Sequence, residues 1–162
     1  MTEKSAFDQA QWRLLVQLPR WVAQAASAAE RDSAHQTAQE EEAGLLAIAD
    51  GRTSGSPLVA RIATELVEVY DEQKPDPTAP KIDVHHPEAG LADVLERARQ
   101  GAATMLATAE PTEAAAYRRW LLAITDTVIG AARSGGVMGM GGQSVSENER
   151  RFREQLARAL EG

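Results

Sequence analysis

The chain has 162 residues, no cysteine and a formal charge of -7, from 24 acidic against 17 basic side chains. That length suffices for one sizeable core without staples, and the missing cysteine excludes a disulfide framework, a thiolate zinc site and a cysteine nucleophile. The acidic balance and a supply of only two Phe and two Tyr argue against nucleic acid and anionic membranes as partners. No uncharged apolar run approaches the ~18 residues of a membrane span, so the expectation is a soluble, cytoplasmic protein.

Helical periodicity dominates and strand alternation is missing, which predicts an all-α bundle of about six helices. Residues 8 to 29 set Trp12, Leu15, Leu18, Val22, Ala25 and Ala29 at steps of three and four, giving one apolar face. Pro19 removes a backbone donor inside that run, so a kink or a break is expected there. The stretch ERDSAHQTAQEEE offers only Ala34 and Ala38 as apolar residues and reads as a solvated helix or a loop. Its closing acids, Glu40, Glu41 and Glu42, suit the first turn of a new helix, where they favour the dipole. Apolar character returns in AGLLAIAD, residues 43 to 50.

The connection GRTSGSP then ends in a helix start, with Ser56 as N-cap and Pro57 in the first helical position. Leu58, Ile62, Leu66 and Tyr70 follow at steps of four. Four prolines between Lys74 and Pro87 (Pro75, Pro77, Pro80 and Pro87) preclude regular helix and mark a linker, 74–87, between two helical halves, 1–73 and 88–162. Each half would be marginal alone, so the two are expected to pack together as one helical domain over 1–162. The second half predicts a helix from Pro87 to Thr108, carrying Leu91, Val94, Leu95, Ala98, Ala102 and Leu106. Another runs from Pro111 to Arg133, carrying Tyr117, Trp120, Leu121, Ile124, Val128 and Ala131.

The segment SGGVMGMGGQSVSENE, residues 134 to 149, is the one stretch that invites comparison with a phosphate loop. Gly136 and Gly141 have Walker spacing, but Gly142 and Gln143 stand where lysine and a hydroxyl residue belong, and a helix rather than a strand precedes. The dinucleotide pattern fails at Ser144. Ser146 to Glu149 has capping-box spacing instead, and Ser144 to Glu147 offers the same spacing two residues earlier; either places acids where a phosphate would need positive charge. The loop reads as a joint whose Val137, Met138 and Met140 either insert into the core or contact a partner.

Other candidate chemistry is sparse. His85 and His86, with Asp83 and Glu88 nearby, are metal-ligand types, but adjacent histidines in an extended segment point apart, which favours a solvated linker. Asp32 and His35 lack the Glu-x-x-His partners of a dimetal bundle. No serine sits in a nucleophile motif, and no catalytic residue or cofactor site is assigned.

Two junctions can be compared: AIADG, residues 47 to 51, and AARSGG, residues 131 to 136, each close an alanine-bearing helix before glycine. This resembles the pseudo-repeat of the TerB-like helical proteins, a bacterial group associated with tellurite resistance and stress responses. In that group Ala-x-x-Asp-Gly junctions are followed by glutamates, and the acids together make a metal-binding surface. Carried onto this chain, the resemblance implies Asp50, Glu147 and Glu149 as metal ligands, with Ser134 standing where the second aspartate would be. With fourteen Arg to three Lys, the chain is also similar to small uncharacterised helical proteins of arginine-rich bacterial proteomes. Two functions are therefore expected in order: a non-enzymatic helical interaction or scaffold protein, with a protein partner or a homo-oligomer, and a stress-related metal-ion binder of TerB-like type.

Overall fold

The structure, a computed structural model, describes residues 1–29, 34–71, 76–83, 85–134 and 146–162, the side chains of 34–37, 70–71 and 132–134 excepted. Among the described residues six α-helices follow in chain order: α1 (Gln9–Ala28), α2 (Ala34–Asp50), α3 (Pro57–Asp71), α4 (Glu88–Thr108), α5 (Pro111–Ser134) and α6 (Glu147–Ala159). Short 3-10 turns at Lys4–Ala6 and Gly51–Thr53 complete it, and no strand occurs among the described residues. The all-α bundle of about six helices is the fold of this chain. None of its described helices is long and apolar enough to cross a membrane.

Helix α1 sits at the centre, touching each of the other five. Its start is fixed by a capping box: Asp8 Oδ1 accepts the Gln11 N–H at 2.8 Å while Gln11 Oε1 accepts the Asp8 N–H at 2.9 Å. All six periodic residues, Trp12, Leu15, Leu18, Val22, Ala25 and Ala29, are buried, and Val16, Trp21 and Ala26 join them. A helix surrounded by neighbours buries more than one stripe, which is why α1 carries apolar residues around most of its circumference.

Of the kink or break expected at Pro19, the break does not occur: α1 runs through it as one helix. A proline here leaves the carbonyl four residues earlier, that of Leu15, without its helical donor. The phenol of Tyr117 on α5 supplies the missing hydrogen, donating to the Leu15 carbonyl oxygen at 2.8 Å in the buried interior. A tertiary contact thus repairs a local defect, and burial pushes that phenol well above its usual pKa.

Helix α2 begins at Ala34, earlier than the acidic run suggests, so Glu40, Glu41 and Glu42 lie within it rather than in its first turn. Glu40 turns inward, is 1% exposed and accepts the Ser27 hydroxyl of α1 at 2.5 Å. The helix packs chiefly on α5 and then on α1. It ends at a close approach: a Cβ on Gly51 would come within 2.6 Å of the Trp120 ring, whose Nε1 donates to the Ala47 carbonyl at 3.2 Å. Only glycine fits under that indole.

Helix α3 starts as the Ser56-Pro57 pair predicts, with the Ser56 hydroxyl accepting the Val59 N–H at 3.4 Å, and buries Leu58, Ile62 and Leu66. Lys4 and the Trp12 indole both donate to the Glu65 carboxylate, tying the first residues and α1 to α3. Residues 76–83 lack helix, as the prolines require, yet they are strapped down on α4. The Arg97 guanidinium holds the Thr78 carbonyl at 2.7 Å, pairs with Asp93 and stacks 4.7 Å over Trp21. Gly90 lets Lys81 and Ile82 approach so closely that a Cβ there would sit 2.8 Å from their backbone.

On α4, Val94, Ala98 and Ala102 are buried as expected, but Leu106 is 60% exposed and its neighbour Met105 takes the core position. Tyr117, Trp120, Leu121, Ile124 and Val128 of α5 are all buried. Helix α6 lies against α4 and α5 through Phe152, Leu156 and Ala159, with Arg153 bonded to Asp126 of α5 at 2.6 Å. One hydrophobic cluster draws residues from all six helices, so residues before and after the proline-rich connection share a core.

Candidate functional site

The acids implied by the TerB-like resemblance fall on two helix ends. Asp50 closes α2 and is exposed; Glu147 and Glu149 form the first turn of α6. Glu147 faces solvent, whereas Glu149 is 6% exposed and engaged in the later of the two capping boxes that the sequence offers. Its Oε2 accepts the Ser146 N–H at 3.1 Å, and the Ser146 hydroxyl accepts the Glu149 N–H at 3.2 Å. Among the described residues no three His, Asp or Glu side chains gather closely enough to hold a metal ion. His85 and His86 are exposed, and the Asp83 carboxylate is used locally, accepting the His85 N–H at 2.8 Å. Val137, Met138 and Met140, with the glycines around them, lie outside the described residues, as does Asp32.

Two features that the motifs do not single out stand out physically. The first is the outer face of α2. Glu40, Gly44 and Ile48 line its buried side, so the residues one step around the helix, Glu41, Glu42, Leu45, Leu46 and Asp50, face outward. Leu46 is 61% and Leu45 37% exposed. Full burial of a leucine supplies about 1.5–3 kcal/mol, of which Leu46 forgoes more than half and Leu45 a smaller part. The rim is acidic, with Glu41, Glu42 and Asp50 lacking ion-pair partners among the described residues. The Arg52 guanidinium is turned onto the Ala49 carbonyl at 3.2 Å.

The second is a cleft of about 340 Å³ between the amino ends of α3 and α5, lined among others by Gly55, Ser56, Pro57, Glu110, Glu113 and Arg119. Met1 lines it as well, and the adjacent Thr2 is bonded to the start of α5. The Thr2 N–H donates to Glu113 Oε2 at 2.8 Å and its hydroxyl accepts the Glu110 N–H at 3.0 Å, so a residue 108 positions away caps α5. The Met1 ammonium bonds to the Glu110 carboxylate. Glu113 is 5% exposed, and its second oxygen, Oε1, has no hydrogen-bond partner. Sequence reasoning reaches the Pro111-Thr112-Glu113 helix start but not Thr2, because nothing local links residue 2 to residue 113.

No family model matches this chain, and the curated proteins and the solved structures contain no match to it.

Proposed function

We propose that this chain is a non-enzymatic helical interaction protein that docks a partner protein on the outer face of α2. The observation that carries the reading is the pair Leu45 and Leu46, exposed on a helix whose other side is firmly packed. Adjacent exposed leucines on a rigid element form a ready aliphatic anchor site. The acidic rim of Glu41, Glu42 and Asp50, on a chain of net charge -7, selects a partner segment with apolar anchors flanked by lysine or arginine. A second copy is a poor occupant of the same face, since two such rims would set like charges opposite each other.

The test pairs wild-type bait with the Leu45→Ser/Leu46→Ser variant. Leu46 is mostly in water but Leu45 is only 37% exposed, so the double variant is expected to melt somewhat below the wild type, and Leu46→Ser alone, which keeps the wild-type melting temperature, serves as the stability-matched bait. The reading expects one discrete protein, held more weakly as salt rises, that the wild type retains and both variants lose. Equal capture by the wild type and the stability-matched bait overturns it. A concentration-dependent dimer abolished by the same substitutions would replace the foreign partner with self-association.

A further inference from the structure

We propose that residues 76–83 form a releasable strap, which lifts from α4 as one unit while the helices stay packed and so uncovers a notch at Gly90. The device is independent of the α2 face. The segment runs antiparallel to the helix it covers: Thr78 meets Arg97 near the middle of α4, and Lys81 and Ile82 meet Gly90 near its start. Gly90 is buried, and a Cβ on it would come within 2.8 Å of the Lys81 carbonyl oxygen and of Ile82. The notch exists because no side chain fills it, and the backbone of the strap lies there instead.

The hold on the strap is slight. Among the described residues, the one hydrogen bond from a helix to 76–83 runs from Arg97 Nη1 to the Thr78 carbonyl oxygen at 2.7 Å. The apolar hold consists of Ala79 and Ile82, both only partly buried. The remaining bonds are internal and travel with the segment. Asp76 Oδ1 accepts the Thr78 N–H at 2.8 Å and the Thr78 hydroxyl at 2.6 Å, and the Asp76 carbonyl accepts the Ala79 N–H at 3.2 Å. That turn, with Pro77 and Pro80 restricting the backbone, makes the strap move as one piece. The closed form also leaves Asp76 Oδ2 buried without a donor, an unfavourable term. A segment with so few bonds and buried apolar contacts opens at a free energy well below that of global unfolding.

Arg97 is the catch, and release does not strand it. Its Nε and Nη2 bond to Asp93 at 3.0 and 3.2 Å, and its guanidinium stacks 4.7 Å over the Trp21 ring of α1. Both contacts lie within the helical body, so the guanidinium keeps its place when the strap leaves, with Nη1 aimed to take the Thr78 carbonyl back.

The chain has no cysteine, so one introduced thiol reports one position. Ala79→Cys places it on the strap, and Val128→Cys places it on α5 at a core position that is 1% exposed. Labelling by an aromatic disulfide reagent is followed across urea concentrations below the unfolding transition. The thiol at 79 is expected to react at least about a hundredfold faster than that at 128, with a urea dependence shallower than that of the core yet above zero, the mark of partial opening. Arg97→Met speeds labelling at 79 by about tenfold or more, and Gly90→Ala, pressing on the other end of the strap, speeds it too. In both backgrounds the thiol at 128 stays at least about a hundredfold slower, which shows that the helices remain packed. Equal rates at the two positions, a rate at 79 that ignores urea, or a rate at 79 unmoved by either substitution overturns the proposal.

Discussion

Tyr117→Phe removes one oxygen atom from the interior and tests how α1 survives Pro19. The ring stays, with its edge contact to Trp120 at 6.1 Å between centroids, so packing changes little and the loss falls on the Leu15 carbonyl. That carbonyl has no helical donor because position 19 is proline, and leaving it buried and unbonded costs about 1–3 kcal/mol. For a chain of this length the loss lowers the melting temperature by about 2–12 °C. The decisive comparison repeats the change in a Pro19→Ala background, where the alanine N–H reaches the same carbonyl. There Tyr117→Phe should cost roughly 1 kcal/mol less, a coupling between residues 19 and 117 that urea melts of the four proteins measure directly. Additive effects, within about 0.3–0.5 kcal/mol, would refute the idea that the phenol substitutes for the missing amide.

The same phenol gives an alkaline signature. Burial raises its pKa well above the usual 10.0, so both states are protonated below that value; as pH climbs past it the unfolded chain ionises first and stability falls. Melting temperatures from neutral to strongly alkaline pH should decline beyond about 10, with a shallower decline in Tyr117→Phe; identical slopes would contradict the assignment. Gly51→Ala places a Cβ 2.6 Å from the Trp120 ring, a rigid neighbour that must move and give up its bond to Ala47. A loss of about 1–3 kcal/mol in chemical melts is expected, and a neutral effect would show that the indole has room. Gly90→Ala instead presses on the backbone of Lys81 and Ile82, so it should loosen the strap over 76–83. Limited proteolysis should then cut faster in that segment while the helical signal persists; unchanged cleavage would count against the strap.

What was legible in the sequence is what depends on local pattern. The steps of three and four in α1 predicted Trp12, Leu15, Leu18, Val22, Ala25 and Ala29, and every one is buried. The start of α3 followed from Ser56-Pro57, and that of α6 from the later of two capping-box spacings, Ser146–Glu149 rather than Ser144–Glu147; such bonds need only neighbours. What was not legible depends on distant partners. Glu40 is inside because Ser27 meets it across a helix interface, and Pro19 is tolerated because Tyr117 arrives from residue 117. Leu106 and Met105 are equally apolar neighbours about 100° apart around α4, and only the tertiary arrangement chose methionine for the core. The acidic cleft escaped notice for the same reason, since Thr2 and Glu113 lie 111 positions apart and no spacing rule relates them.

The central claim is that a partner protein sits on the outer face of α2, and a photo-crosslinking residue at position 46 tests it most directly. Placed at Leu46 in cells, the probe should yield one discrete adduct of higher mass, weakened by raised salt or by Asp50→Lys, whereas a probe at the exposed Arg99 of α4 should yield none. The same adducts from both positions, or no adduct from position 46, would contradict the account.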